Sequence, residues 1–331
     1  MNAVFVVPLS TWNTLLTELL EDYEVFAPLA FGENIEYEKL TEHTLPEIIY
    51  NRPKPTSPLK TFFLPVKENV VAPRKSEMKR IIIGAPACDL SGLSILDEIY
   101  LDKEYTDPNY SKHRENTLLF GFDCHSVQEH CHCNSYEFSA VPEANTDVLL
   151  SKQDEQIIVK IISGKGEEFF AKYLKGKAKA GEGDLEQLSL IRKEVSDQLA
   201  KQNKDIPNYK ATGKLVSGST DAIWEKYADD CVSCGACSAI CPTCSCFLFI
   251  ERPEFEKVRS LDTCQYPGFE KVAAGEDPLR QLPLRFRNRY NCKYVWKPQK
   301  FTSKACTGCG RCIEACIGNI NKNELFRELS N

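Results

Sequence analysis

Two cysteine runs constrain this chain more than anything else in it. They are Cys231-Val-Ser-Cys234-Gly-Ala-Cys237-Ser-Ala-Ile-Cys241-Pro242 and Cys306-Thr-Gly-Cys309-Gly-Arg-Cys312-Ile-Glu-Ala-Cys316. Each spaces its thiols as C-x2-C-x2-C-x3-C, the run that holds [4Fe–4S] cubanes in small bacterial ferredoxins. Three thiolates on a tight turn ligate three irons of one cubane, and the fourth cysteine reaches across to the other. The expected sets are therefore Cys231, Cys234 and Cys237 with Cys316, and Cys306, Cys309 and Cys312 with Cys241. Gly235, Gly308 and Gly310 are expected to let backbone approach the clusters and turn N–H groups toward their sulfurs. Structural zinc favours two well-separated cysteine pairs around one ion, which two copies of this run do not match. Proline follows Cys241 but Ile317 follows Cys316, a change in the turn that leaves the ligand set intact.

The chain has 16 cysteines, and the first is Cys88. Met1–Pro8 shows neither a basic segment nor a small-residue cleavage site, so no secretory signal is expected and the reading is cytoplasmic. There, clustered cysteines serve metals or redox chemistry rather than disulfides. Cys88, Cys124, Cys131 and Cys133 are the four cysteines of the first 230 residues. Four thiolates is the number a cubane needs, so a third [4Fe–4S] cluster is expected on them. A four-thiolate zinc site and reduced, partly buried thiols are the alternatives. No apolar run approaches the roughly 18–20 residues of a membrane span. A net charge of −6 argues against nucleic acid as the main partner.

The expected fold is α+β: an N-terminal α/β domain over 1–215, then a mainly helical, two-cluster ferredoxin-like domain over 216–331 with an insertion between its motifs. Ser10 to Tyr23 has helical periodicity, with Ser10 as its N-cap. Val25–Pro28 and Phe62–Pro65 read as strands ending at proline. Ile81–Gly84, Ser91–Leu101 and Thr117–Phe122 read as strand, helix and strand. If the two strands are parallel neighbours, Cys88 and Cys124 converge at their carboxyl ends, where such sheets bind ligands. Residues 160–185, rich in Lys, Gly and Glu, read as an exposed mobile segment, and 184–202 as an amphipathic helix. Residues 222–229 lead into the first motif. The insertion, 243–305, must form structure of its own. Its Arg280, Arg285, Arg287 and Arg289 read as a solvated face, with docking to an acidic redox partner as the sharper alternative. His125, His130 and His132, near Cys124, Cys131 and Cys133, read as surface loop residues, with hydrogen bonds to a cluster's sulfurs as the alternative.

Further stretches carry a family resemblance along nearly the whole chain: Val25-Phe-Ala-Pro28, Ser57-Pro58 through Glu68, Ala87-Cys-Asp-Leu90 with Leu96-Asp97, Asp107-Pro-Asn-Tyr110, Cys124 with Cys131-x-Cys133, Cys241-Pro-Thr-Cys-Ser-Cys246, Pro267-Gly-Phe269 and Arg287. With the run at 306–312 they resemble the dicluster iron–sulfur component of anaerobic sulfite reductase and the beta subunit of cytoplasmic sulfhydrogenases, one family of 4Fe-4S dicluster proteins. The resemblance implies membership of a hetero-oligomer. The chain would relay electrons between a flavin subunit that oxidises NAD(P)H and a catalytic subunit carrying sirohaem or a NiFe centre. Pro267-Gly268-Phe269 and Ala273-Ala274-Gly275 lean toward the sulfite reductase type. Cys292-Lys293 stands where the family is expected to have His-Lys.

The residues agree with a relay. The chain has no G-x-G-x-x-G fingerprint for a dinucleotide and no acid–base or nucleophile constellation, so no catalytic residue is assigned. Two other classes stay open. One is an iron–sulfur enzyme of heterodisulfide reductase type, with Cys244, Cys246, Cys264 and Cys292 forming an active centre. The other is a scaffold with structural clusters.

Overall fold

The computed structural model describes residues 4–52, 54–71 and 79–330, so Met1–Ala3 of the stretch read for a signal lie outside the described residues. The strands are β1 (Val4–Pro8), β2 (Glu24–Phe31), β3 (Asn34–Lys39), β4 (Lys67–Asn69), β5 (Arg80–Pro86), β6 (Thr117–Phe122), β7 (Val148–Gln153), β8 (Gln156–Ile161), β9 (Ala178–Lys179), β10 (Phe247–Glu251) and β11 (Lys257–Leu261). Eight form one sheet in the order β3-β2-β5-β6-β7-β8-β1-β9, and β10-β11-β4 form a second. β2, β5, β6 and β7 run parallel, and the other pairs are antiparallel.

The helices of the first half are α1 (Leu9–Asp22), α2 (Ala87–Tyr100), α3 (Pro108–Glu115), α4 (Gly164–Tyr173) and α5 (Glu182–Gln202). α6 (Tyr209–Gly218) and α7 (Asp221–Ala228) lead to the first cysteine run, which holds the single turn α8 (Ala236–Ala239). α9 (Leu282–Asn291) continues through a π-type turn at Cys292–Trp296 into α10 (Lys297–Lys300). The second run holds α11 (Arg311–Glu314), and α12 (Lys322–Ser330) closes the described chain. The architecture is thus α+β, a strand-rich first half and a helix-rich, cysteine-rich second half.

The unbroken apolar run of β5 follows from burial on both faces, as in parallel sheets generally. Ile81 and Ile83 pack with Trp12, Leu16 and Phe120 on one side. Ile82 and Ala85 pack with Leu90, Leu93 and Leu96 of α2 on the other. The second half is built on aromatic rings instead: Tyr209, Trp224, Phe286, Tyr290, Tyr294 and Phe326 share one core with Tyr136.

Several local expectations need correction. α1 starts one residue early and Pro8, not Ser10, precedes it. β2 does not end at Pro28 but runs to Phe31. Its ladder with β5 stops at Phe26–Ile82, and beyond it β2 needs only β3, which pairs Pro28 with Tyr37. Phe62–Pro65 is no strand: Leu59–Phe62 is a short 3-10 turn set off by Pro58, and Phe63 and Leu64 drop into the core beneath α2. Residues 160–185 are largely ordered structure, the end of β8, α4 and β9, because Phe169 enters the sheet core and Phe170 stacks on Phe5 at 4.0 Å.

Candidate iron–sulfur centres

β5 and β6 are parallel neighbours from Arg80–Thr117 to Pro86–Phe122, so both present their carboxyl ends at one edge. Cys88 stands there in the first turn of α2, which begins at Ala87 rather than Ser91, and Cys124 follows β6. The Cys88 thiol neighbours those of Cys124 and Cys309, and Cys124 neighbours Cys131 and Cys133. Four thiols from three segments thus meet at the carboxyl edge. Burial pushes the Cys133 thiol up to about 12, aided by Cys131. Burial raises Cys88 and Cys124 too, more than the Lys54 ammonium beside this group offsets, so without a metal Cys88, Cys124 and Cys133 would stay protonated thiols.

The loop carrying Cys131 and Cys133 is clamped on the second run. His132 donates its N–H to Gly308 O at 2.8 Å. Gly308 and Gly310 have φ of +69° and +79°, and a Cβ on either would strike the backbone of His132 or His130 within 2.6 Å. The closest approach that demands these glycines is thus to the N-terminal cysteine loop. Arg311, in the same turn, donates to both carboxylate oxygens of Asp89 in α2 and to Pro55 O.

In the second half, Cys231, Cys234 and Cys237 line one cavity with Cys316, and Cys312 reaches its wall as well. Cys241 leaves that group and faces Cys309 of the second run. Two lysines stand on these thiols. Lys293 Nζ lies 3.1 Å from Cys241 Sγ, and Lys322 Nζ lies 3.3 Å from Cys306 Sγ. Burial raises the Cys306 thiol, but Lys322, His132 and Lys293 outweigh it and hold it well below its usual range. Cys241 is likewise held well below, first by the Cys244 thiol donating to it and, against burial, by Lys293 and Arg289.

Sequence reasoning missed these cations. Lys60, Lys293, Lys322 and Arg289 are 3%, 3%, 4% and 6% exposed. Among the described residues none forms an ion pair with a carboxylate. Leaving a buried charge uncompensated costs several kcal/mol, and the anions at hand are thiolates. The basic stretch of the insertion is therefore not a solvated face throughout. Arg285 and Arg289 are buried, and Arg287 lies across the Trp224 ring and pairs with Asp221 at 2.8 Å. His132 is no surface residue either: it is fully buried, and its Nε2, without a well-formed partner, lies beside Cys306. A lysine or histidine beside a cysteine run is the one signal in the sequence that pointed this way.

Clustered thiols beside cations that carboxylates do not neutralise fit an anionic, thiolate-bound metal cluster. Among the described residues no three His, Cys, Asp or Glu side chains converge as around a single metal ion.

Residues 230–320 match the family described as "4Fe-4S dicluster domain". The chain is 28% identical over 323 residues to the Sulfhydrogenase 2 subunit beta of Pyrococcus furiosus, covering 94% of this chain and 93% of that protein. Among the described residues no helix is long and apolar enough to cross a membrane.

Proposed function

From a 4Fe-4S dicluster domain within a chain similar end to end to a sulfhydrogenase beta subunit, we propose an iron–sulfur electron-transfer subunit of a hetero-oligomeric oxidoreductase. A bound [4Fe–4S] cluster supplies a one-electron couple within roughly −700 to +450 mV. Everything else is the work of this chain's residues. Cys231, Cys234, Cys237 and Cys316 hold one cluster; Cys306, Cys309, Cys312 and Cys241 hold the second. Cys88, Cys124, Cys131 and Cys133 hold a third, at the edge of a domain taken as 1–215. Lys293 and Lys322 offset cluster charge, which favours the reduced state. The clamp of Gly308 and Gly310 on the 130–133 loop keeps the third site beside the second. One continuous line of centres then joins the sheet to the helical half.

The observation that carries this reading is the pair of buried lysines on Cys241 and Cys306, because neither meets a carboxylate among the described residues and the sulfurs are the neighbours able to carry the opposite charge. The test is EPR of the reduced protein, purified anaerobically. Cys237→Ser and Cys309→Ser should each remove one low-potential signal and keep the other. Survival of both signals in both variants refutes the ligand sets. The partners proposed are a flavin subunit that oxidises NAD(P)H and a catalytic subunit. Pro267-Gly268-Phe269 favours a sirohaem sulfite reductase as the latter; the relative's name favours a sulfhydrogenase. Anaerobic co-purification from the native source decides which cofactor arrives with the chain.

A further inference from the structure

Four cysteines remain outside the three sets: Cys244, Cys246, Cys264 and Cys292. They come from three separate segments. Cys244 and Cys246 lie in the loop between Cys241 and β10, Cys264 follows β11, and Cys292 begins the π-type turn after α9. The hairpin makes the first approach. Phe247 pairs with Leu261, and Asp262 N–H donates to Cys246 O at 2.9 Å. The Cys246 and Cys264 thiols then come within hydrogen-bond reach of each other, and the thiols of Cys244 and Cys292 are charge neighbours of Cys246. All four are free thiols.

What surrounds them is not a hydrophobic packing site. Lys60 comes from the 3-10 turn Leu59–Phe62, is 3% exposed, and among the described residues donates to Cys244 O at 2.8 Å and Ser238 O at 3.3 Å. Its charge meets no carboxylate among the described residues. Arg289 neighbours both Cys244 and Cys264, donates one N–H to Cys237 O, and leaves its buried Nε without a partner. The Ser238 hydroxyl is buried, has no well-aligned partner, and lies beside the Cys264 thiol. A cation without a carboxylate, an orphaned guanidinium N–H and an orphaned hydroxyl thus border the same four thiols. Reduced thiols would satisfy none of them, since a thiol is a weak acceptor. Anionic thiolates and sulfides would satisfy all three.

Resting on the iron–sulfur reading above, we propose that Cys244, Cys246, Cys264 and Cys292 hold a further [4Fe–4S] cluster, with Lys60, Arg289 and Ser238 as its charge and hydrogen-bond partners. A zinc ion would need all four sulfurs at about 2.3 Å from one point. Iron and zinc analysis of the chain tells the two apart. The Cys244 thiol lies within hydrogen-bond reach of Cys241, so the site adjoins the line of centres.

The experiment is iron and zinc analysis of the full chain, purified anaerobically, beside Cys264→Ala, Cys246→Ala and Cys292→Ala. Four cubanes give about sixteen irons per chain, and each variant should lose about four and keep the rest. Reduced-state EPR of each variant should retain the signals that Cys237→Ser and Cys309→Ser remove. About twelve irons, unchanged in all three variants, overturns this inference and leaves the three-cluster reading standing. About one zinc per chain, lost with Cys264, overturns it too, as does a Cys246–Cys264 disulfide found by peptide mass spectrometry of the anaerobic protein. No iron in the unaltered chain sinks the reading beneath it as well. If one variant fails to fold, the other two decide, because each ligand comes from a different position on the fold.

Discussion

The two halves of the molecule neutralise buried cations in different ways. Around the sheet, carboxylates do it. Arg259 is held by Glu68 at 2.5 Å and by Asp107, and Arg192 by Asp123 at 2.7 Å, while Lys54, at the joint, has both Glu314 at 2.9 Å and the Cys131 thiol at 3.8 Å. Among the cysteine runs, Lys293, Lys322 and Arg289 meet thiols and backbone oxygens instead. Lys60 apart, the buried cations around the sheets are thus matched within the polypeptide. The second half is electrically complete only when something makes its thiols anionic, so metal binding there is part of folding.

Removing iron should have the largest effect, and an unequal one. With chelator under oxidising conditions, the buried lysines lose their counter-charges, each at a cost of several kcal/mol. Amide exchange protection should collapse across α7, α9 and α12 while β5 and β6 stay protected. Equal loss in both halves would break the comparison.

The next effect tests the joint between the halves. Arg311 and Asp89 are both fully buried, one in the second cysteine run and one in α2. Asp89→Asn leaves the guanidinium without its counter-ion, and the expected loss is about 3–5 kcal/mol. Anaerobic denaturant unfolding measures it. A loss below about 1 kcal/mol, no more than a surface pair contributes, would mean that cluster charge, rather than Asp89, supports Arg311.

Lys293→Met should act on potential more than on stability. A unit charge a few ångströms from a cluster is worth about 4 kcal/mol at an effective dielectric of 20. Removing it should make one couple more negative, on the order of 100 mV. EPR-monitored redox titration reads the shift. An unchanged midpoint would remove Lys293 from its role beside Cys241.

The sequence disclosed these halves unevenly, for physical reasons. The cysteine runs are legible because cluster ligation fixes both residue type and spacing. The β5–α2–β6 unit is legible because burial on both faces leaves an unbroken apolar run. The cations are not: Arg285 and Arg289 look like solvated residues, and nothing local says that Lys60 is buried against Cys244. Burial of a charge depends on what long-range packing brings to it. Pro28 misled because a proline stops a strand only where its missing N–H is needed. Lysines and glycines at 164–177 suggested mobility, but Phe169 and Phe170 tie α4 to the sheet.

The smallest expected effect is the acid limb of the sheet side, and its sign follows from Glu68. Burial raises the Glu68 carboxyl, but hydrogen bonds and charge from His113 and Arg259 outweigh it and hold it below its ordinary value. A folded-state value below the unfolded one means that the unfolded chain binds the proton more readily. The contribution is therefore fully present above the usual glutamate range near 4.3, and is lost as pH falls through the lowered folded value. Glu68 joins β4, and through it the β10–β11 hairpin, to α3: Arg259 in β11 bridges it to Asp107, and His113 Nε2 lies 2.9 Å from it. Glu68→Gln lacks this titration. Its stability deficit against the unaltered protein should be constant from about pH 8 to 5, then shrink as pH drops below about 4.3. Denaturant midpoints of the two proteins, taken pairwise across that range, check it. The pairing cancels acid effects on the clusters, which both proteins share. A deficit that stays constant to about pH 3, well below the usual glutamate range, would show that Glu68 keeps its proton balance on unfolding, and that the carboxylates of the sheet side contribute packing rather than charge.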